Sequence, residues 1–376
     1  MNFVMELSDL RNKIDKIDEQ ILSLFIERMD VCRDVAEFKR VNNLPVMQGN
    51  REEQLLERIE GMSPDDLKDG SRVLFSEIMD ISKCIQHREI FMKSASLLEP
   101  KLFLPKMARR IACPGISGSN TETAARKLFP TQDIIYFNTF DEVFSAVEKK
   151  EADFGVIPIQ NSTAGSVSDT YDAMSKHNFY INSMIRLDIN HCLAVRKGTS
   201  FLDVTKVISH PQALSQCSEF IRENTLITED CLNTSIAAKR VADSSEPIAC
   251  ICSEHCAELY DLDIIGRDIA NAEKNATRFI CIAKDFYATE KADTLTVSIV
   301  IPHTKGSLYR LLTKFSVNGF NIVRIESKLI PGKDFEAMFY LDFNGRYDDI
   351  KVCALMDELK KEYSKFEFLG NYSEIM

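Results

Sequence analysis

Residues 7–39, LSDLRNKIDKIDEQILSLFIERMDVCRDVAEFK, decide how the first part of the chain folds. Apolar residues fall at Leu7, Leu10, Ile14, Ile17, Ile21 and Leu24, then at Val31, Val35 and Phe38. Alternating steps of three and four are those of a long helix with one buried seam. The seam breaks once, between Leu24 and Val31, where the inward position belongs to Arg28. A guanidinium keeps its proton and is rarely buried unpaired, so an anion must meet it there. Lys39 lies eleven residues on, about 20° round the helix and roughly 16 Å along it, so the two basic side chains can converge on a small anion. Arg11 lies seventeen residues before Arg28, about 100° round and roughly 25 Å away, too far for one straight helix to deliver both to one pocket. An antiparallel partner helix could deliver it, which suggests a homodimer, or a higher homo-oligomer, in which each pocket borrows Arg11 from the other chain.

Pro45 breaks this helix, Arg51 and Glu52 open a second that ends near Gly61, and Ser63-Pro64, a cap followed by proline in the first turn, begins a third. On the third helix Ser82 and Gln86 are four apart and share a face. Arg11, Arg28, Lys39, Arg51, Glu52, Ser82 and Gln86, at these spacings on three helices, resemble the active-site set of the all-helical chorismate mutases over residues 5–90. That resemblance implies that Arg28, Arg51 and the partner's Arg11 clamp the two carboxylates of chorismate. It implies too that Lys39 and Gln86 donate to the ether oxygen, that Glu52 binds the ring hydroxyl and that Ser82 binds a carboxylate. Gln48 belongs to the same set and stands where an acidic residue is often found.

A chain of 376 residues exceeds one ordinary core and suggests two or three domains. The net charge of −11 argues against a nucleic-acid partner and requires any anion site to be a local basic focus. No apolar run is long enough for a membrane span, and Met1 to Leu10 lacks the pattern of a signal peptide. The eleven cysteines are odd in number and scattered through apolar segments, the usage of reduced cytoplasmic thiols. Cys250, Cys252, His255 and Cys256 are the one cluster with metal-ligand chemistry. Cys250 and Cys252 alternate within an apolar strand, and no second ligand pair follows, so no metal is assigned.

After a linker at 93–107, short apolar runs at 110–113, 134–137, 154–159, 206–209, 248–252 and 279–283 alternate with helical stretches. This is the βα alternation of parallel sheets covered on both faces, here in two lobes, with Tyr180 to Val195 suited to crossing between them. The strand-to-helix turns share a chemistry: Gly115-Gly118-Ser119, Asn161 to Ser166, Ser209 to Gln212, and Thr234-Ser235. Small hydroxyl and amide residues at helix starts leave backbone donors free for carboxylates. His210 beside Pro211 is read as a cap or packing residue. Asn275 to Phe279 runs from a turn into a closing strand, with Thr277 offering a hydroxyl and Arg278 a planar charged fork. Together with Pro158 to Ser162 and Ser209 to Gln212, this element resembles the prephenate dehydratase domain over 108–285. The resemblance implies that Thr277 assists the leaving hydroxyl, that Arg278 anchors a carboxylate or organises the cleft, and that Asn161, Ser162, Gln212 and Thr234 position prephenate. Gln160, in the same binding set, holds a position usually occupied by Glu; Asn120, Thr121 and Cys113-Pro114 also depart from the family pattern.

A second linker at 286–292 leads to strands at 293–301, 321–330, 336–343 and 366–370 and helices at 305–317 and 347–363, the order of a split βαβ sandwich. Pro302 to Leu308, with Gly306, Ser307 and Leu308, and Glu326-Ser327-Lys328 are similar to the ACT regulatory domain, which implies L-phenylalanine as effector at a dimer interface; Lys328 and Leu329 replace its usual Arg and Pro.

The expected fold is therefore multidomain: an all-α three-helix mutase domain (1–92), a two-lobed α/β dehydratase domain of periplasmic-binding-like form (108–285) and an α+β, ferredoxin-like βαββαβ ACT domain (293–376). The whole resembles the bifunctional chorismate mutase/prephenate dehydratases of phenylalanine biosynthesis, which need no cofactor. Sequence leaves open a rival in which the dehydratase cleft, with Gln160 for Glu, senses an aromatic acid without converting it.

Overall fold

The computed structural model describes residues 6–46, 49–93, 99–272, 274–330 and 336–376. Three helices open the chain: α1 (Leu7–Val41), α2 (Gly49–Met62) and α3 (Lys68–Met92). Helix α1 keeps Asp9 in its first turn and Lys39 and Arg40 in its last, the arrangement that suits the helix dipole. Ser63 does not cap the third helix as expected. Its hydroxyl donates to Ile59 O at 2.8 Å, Pro64 leads into a 3-10 turn at Asp65–Leu67, and α3 starts with no side-chain cap. With a 3-10 turn and not an α-helix after Pro64, the hydroxyl caps nothing and turns back to the carbonyl four residues earlier.

The apolar seam of α1 is also not where it was expected within one chain. Ile14, Ile17, Ile21 and Leu24 are 53–65% exposed, while Met29, Ala36 and Lys39 are the buried residues of the helix. Helix α3 takes the face carrying Arg28, Cys32 and Lys39, which leaves the seam without a covering element among the described residues of the single chain.

Next come β1 (Lys101–Leu102), β2 (Arg110–Pro114), α4 (Asn120–Leu128), β3 (Asp133–Phe137), α5 (Phe140–Glu148), β4 (Phe154–Asn161), β5 (Gly165–Ser166), α6 (Ser168–Met174) and β6 (Tyr180–Asp188). Then follow β7 (Cys192–Arg196), β8 (Lys206–Ser209), α7 (Pro211–Gln216), α8 (Ser218–Glu223), β9 (Ile227–Asp230), α9 (Thr234–Asp243), β10 (Ile248–Cys252), α10 (Glu254–Leu259), β11 (Leu262–Gly266), β12 (Ala276–Ala283) and β13 (Tyr287–Ala288). Two sheets make the two lobes. One has the order β11-β7-β10-β8-β9, and the other, completed by a late strand β18 (Glu374–Ile375), the order β18-β6-β12-β4-β2-β3 with β5 on β4. The chain crosses between them at 189–191, inside the stretch the sequence marked, and returns before β12. Phe154, Phe279 and Ile111 fill the core of one lobe; Cys250, Cys252 and Cys256 lie buried in the core of the other. Both expected linkers contribute a strand, for β1 pairs with β13 in parallel.

The last elements are β14 (Thr294–Val300), α11 (Ser307–Val317), β15 (Ile322–Leu329), β16 (Ala337–Asn344), α12 (Ile350–Glu362), β17 (Lys365–Tyr372) and β18 (Glu374–Ile375). Strands β14 to β17 form one sheet in the order β15-β16-β14-β17, the βαββαβ order expected from sequence. The three regions fall into two compact units, residues 1–99 with 297–368, and 100–296 with 369–376. In the first, Lys314 Nζ of α11 lies 2.5 Å from Glu358 Oε1 and 2.8 Å from Glu362 Oε2 of α12, and the Cys84 thiol of α3 donates to Glu358 at 3.6 Å. Burial pulls Lys314 toward neutrality, but the two carboxylates hold it charged. No helix among the described residues is long and apolar enough to cross a membrane.

Gly370 in β17 has φ +146°, and a Cβ there would stand 2.0 Å from the carbonyl oxygen of Ile181. Backbone cannot retreat as a side chain can. Gly370→Ala is expected to destabilise the second unit by about 4 kcal/mol or more, read as a lowered urea midpoint. A midpoint within error of the parent would show that the strands separate freely here.

Candidate active sites

The helical region gathers part of its expected set around one ammonium. Lys39, 8% exposed, donates from Nζ to Val46 O at 2.7 Å and to Gln86 Oε1 at 3.2 Å. Gln86 Nε2 donates onward to Ser82 Oγ at 3.2 Å, and that hydroxyl donates to Cys32 Sγ at 2.8 Å. Arg28 Nη1 reaches the same sulfur at 3.9 Å. Burial lowers the Lys39 pKa from the ordinary lysine value, and Glu52 and Cys32 oppose that shift. Arg11 and Arg51 are exposed and stand outside this cluster, and Gln48 lies outside the described residues.

Glu52 is held by a residue that sequence reasoning missed. Lys83 Nζ sits 3.0 Å from Glu52 Oε2 and 2.7 Å from Asp80 Oδ1. Burial works against the Lys83 charge, yet Asp80 and Glu52 raise its pKa above the ordinary value. Asp80 is 3% exposed, and its Oδ2 has no hydrogen-bond partner among the described residues. The signal was present, since Asp80 and Lys83 are three apart on one helix.

A cavity of about 510 Å³ opens between the two lobes. Three helix starts face it, each capped by a side chain: Ser119 accepts from Glu122 N, His210 from Gln212 N, and Asn233 from Ile236 N. His210 is thus the cap that sequence suggested. Burial, opposed by Asp230, lowers its pKa, and burial, opposed by the bond to Gln216, lowers that of His191 in the same cavity, which favours the neutral form of both rings. Of the expected set, Asn161, Gln212, Thr234 and Thr277 line the cavity. Asn161 is the organiser. Its Oδ1 accepts from Thr163 N at 3.0 Å and Ala164 N at 2.9 Å, which turns Nδ2 toward Thr277 Oγ1 at 2.9 Å and Asn275 Oδ1 at 2.8 Å. Because Thr277 Oγ1 accepts that bond, its own proton is available to a group in the cavity.

Gln160, Ser162 and Arg278 are not among the lining residues. Ser162 Oγ accepts from Ala276 N at 2.9 Å, closing the end of β4 on β12. Arg278 forms a fork with Glu374, Nε–Oε1 2.7 Å and Nη2–Oε2 3.3 Å, and touches Gln160 Oε1 at 3.4 Å. Sequence reasoning also missed Gln216, which donates to Thr163 Oγ1 at 2.6 Å and whose Oε1 meets His191 Nε2 at 2.9 Å and accepts from Asn275 at 3.1 Å. It lies four residues after Gln212 on α7, so helical spacing could have found it. The expected effector residues divide between the start of α11, where Gly306 has φ +79° and Ser307 is buried, and β15, which carries Glu326 and Ser327.

Comparison with known proteins accords with this geometry. Residues 10–87 match the family described as chorismate mutase type II, and residues 111–286 match prephenate dehydratase. The bifunctional chorismate mutase/prephenate dehydratase of Escherichia coli (strain K12) is 30% identical over 375 residues, 96% of this chain and 95% of its own. Arogenate dehydratase/prephenate dehydratase 2, chloroplastic, of Arabidopsis thaliana is 30% identical over 275 residues, 70% of this chain and 72% of its own. A solved structure of prephenate dehydratase in complex with L-Phe, from Arthrobacter aurescens, superposes with TM-score 0.66 at 26% identity over 70% of this chain and 90% of that one.

Replacing Lys83 by Met strands Asp80, whose side chain is 4% exposed. Lys83→Met is expected to lower stability by about 3 kcal/mol in urea, and Lys83→Met with Asp80→Asn to recover most of it. Equal midpoints for parent and single variant would remove the ion pair from the account.

Proposed function

The chain belongs to the family of bifunctional chorismate mutase/prephenate dehydratases, and from that premise we propose which residues carry each reaction and how the first site is completed. It converts chorismate to prephenate and prephenate to phenylpyruvate, in phenylalanine biosynthesis. The first conversion is a pericyclic rearrangement without covalent intermediate, so the protein contributes orientation and charge stabilisation alone. Lys39 and Gln86 donate to the ether oxygen as negative charge grows on it. Arg28, Arg51 and the partner's Arg11 clamp the carboxylates with Ser82, Glu52 accepts from the ring hydroxyl, and Gln48, outside the described residues, belongs to the same binding set. The observation that carries this reading is the buried Lys39 ammonium, tied to Gln86 before any substrate arrives.

In the second conversion the electron pair of the carbon–carboxylate bond passes into the ring as carbon dioxide leaves, and the ring hydroxyl departs with its own electron pair. Thr277 assists that departure by donating a hydrogen bond to the leaving oxygen while keeping its own proton, since hydroxide leaves poorly without a donor. Asn161 fixes Thr277. Gln212 and Thr234, with the helix starts, hold the carboxylates; Gln160, Ser162 and Arg278 act behind the cleft.

The exposed seam on α1 supports an antiparallel homodimer, for nine large apolar positions in one stripe need a cover and Arg11 needs a pocket. The C-terminal βαββαβ sandwich supports an ACT-type regulatory domain. L-phenylalanine would bind at Gly306, Ser307 and Leu308 with Glu326 and Ser327, and the L-Phe found in the Arthrobacter aurescens relative fits that reading. Eleven free thiols, most of them buried, accord with the reducing cytoplasm.

Separate assays of chorismate consumption and phenylpyruvate release test the two halves. Lys39→Ala is expected to lower mutase turnover by about 10²–10³-fold with far less change in KM. Because Lys39 must stay protonated and its pKa is lowered, the parent rate should fall on the alkaline side before the 10.5 of an ordinary lysine. Lys39→Arg should carry that limb out of range. Unchanged turnover in Lys39→Ala would reject the role. For the dimer, Ile17→Glu with Ile21→Glu should give a monomer by sedimentation that lacks mutase activity and retains dehydratase activity; an active monomer would refute the shared pocket. Chorismate consumption with no phenylpyruvate would leave the cleft as a sensor.

A further inference from the structure

Arg278 follows Thr277 in β12, yet its side chain lies outside the cavity and is gripped by a carboxylate from the last residues of the chain. Strand β18 joins the seven-stranded sheet in parallel with β6, Glu374 opposite Met184 and Ile375 opposite Ile185. From there Glu374 meets the guanidinium with both oxygens, at 2.7 and 3.3 Å, a planar fork that a lysine could not match.

The neighbours of Arg278 explain why this carboxylate matters. Across β12–β6 the residue opposite Arg278 is Arg186, and across β12–β4 it is Gln160. Directly opposed side chains share a face, so Arg278 has a second guanidinium on one side and a neutral amide on the other. Arg186 has Asp188 within 4.0 Å, whereas Arg278 takes its charged partner from β18. The register between β12 and β4 also shifts between Arg278 and Phe279. A bulge bends its strand and re-aims the adjacent side chain, so the direction of Thr277 depends on how firmly this step is pinned. Asn161 pins it from the cleft side, at 2.9 Å from Thr277 Oγ1.

We infer that Glu374 is a positioning residue of the dehydratase: it anchors Arg278 from the far side of the sheet and so fixes the Thr277 hydroxyl toward the substrate. It supplies the negative charge that Gln160, on the other flank, does not. The C-terminal strand is in this sense part of the dehydratase site, although it follows the regulatory sandwich in sequence. The inference rests on the assignment of Thr277 as hydrogen-bond donor to the leaving oxygen.

The test uses the full chain with prephenate, and mutase turnover in the same preparation as a control, since Glu374 has no part in that site. Glu374→Gln should lower dehydratase kcat by about 100-fold, with prephenate KM held within about twofold, the signature of a misaimed group and not of lost binding. Gln160→Glu in the Glu374→Gln background should restore most of the lost turnover, because a carboxylate then approaches Arg278 from β4. A merely structural role for Glu374 predicts no such rescue. Glu374→Gln with unaltered kcat, a change confined to KM, or a double variant as slow as the single one would each overturn the inference while leaving the dehydratase reading intact. A parent chain that releases no phenylpyruvate would remove both.

Discussion

Lys39 brings a full positive charge to the end of α1, at a depth where water reaches it hardly at all, and such burial is tolerated only when oxygen atoms replace the lost solvent. Val46 O and Gln86 Oε1 do so. The first bond closes the turn that follows α1 against the helix itself, and the second joins α1 to α3. Gln86 then holds Ser82, and Ser82 holds Cys32 back on α1. One ammonium thus orders a ring of side chains across two helices. A rearrangement with no acid, base or nucleophile gains most from donors that need no reorganisation.

The dehydratase cleft is built on an amide instead of an ammonium. Two backbone N–H groups, of Thr163 and Ala164, decide which way the Asn161 carboxamide points. Its nitrogen donates to Thr277 Oγ1, so that hydroxyl acts as acceptor toward Asn161 and keeps its own proton for another partner. Histidines whose charge burial disfavours and capped helix starts surround the cavity, an arrangement of oriented dipoles and not of a crowd of lysines. A chain of net charge −11 can bind acids in this way without becoming a general polyanion binder.

How much of this was legible in the residues follows from the range of each interaction. Helix α1 and the βαββαβ order rest on local periodicity, and the structure has them within a few residues of expectation. The same periodicity says which residues want cover without saying what covers them. Leu7 to Leu24 therefore read as a buried seam and stand exposed in one chain. Ser63 misled for a local reason, because a cap motif looks alike whether or not the following proline starts an α-helix. Lys83 and Gln216 lay within reach of helical spacing and were passed over because surface charges and amides usually mean nothing. Glu374 was out of reach, since no local pattern tells that Arg278, ninety-six residues earlier, is its partner.

Helix α3 serves two neighbours, and the arithmetic of the helix keeps them apart. Taking Ser82 as origin, Gln86 lies about 40° round, while Cys84 and Glu77 fall at about 200° and 220° on the opposite side. The near face carries Ser82 and Gln86, the partners tied to Lys39. On the far face the Cys84 thiol reaches Glu358 at 3.6 Å, and Glu77 accepts from Tyr309 at 2.7 Å and Thr313 at 3.3 Å of α11. Lys314 and Glu358 are buried in the same unit with side chains 1% and 2% exposed, while Tyr309 is 53% exposed, so a dry ion pair is bordered by a solvent-facing hydrogen bond. The Lys39 cluster and the helices of the C-terminal sandwich therefore share a single backbone in the first unit. A rotation or shift of α3 that improved one contact would move the other, because a packed helix moves as a body. This also accounts for the helical region and the sandwich helices belonging to one compact unit although some two hundred residues of chain separate them.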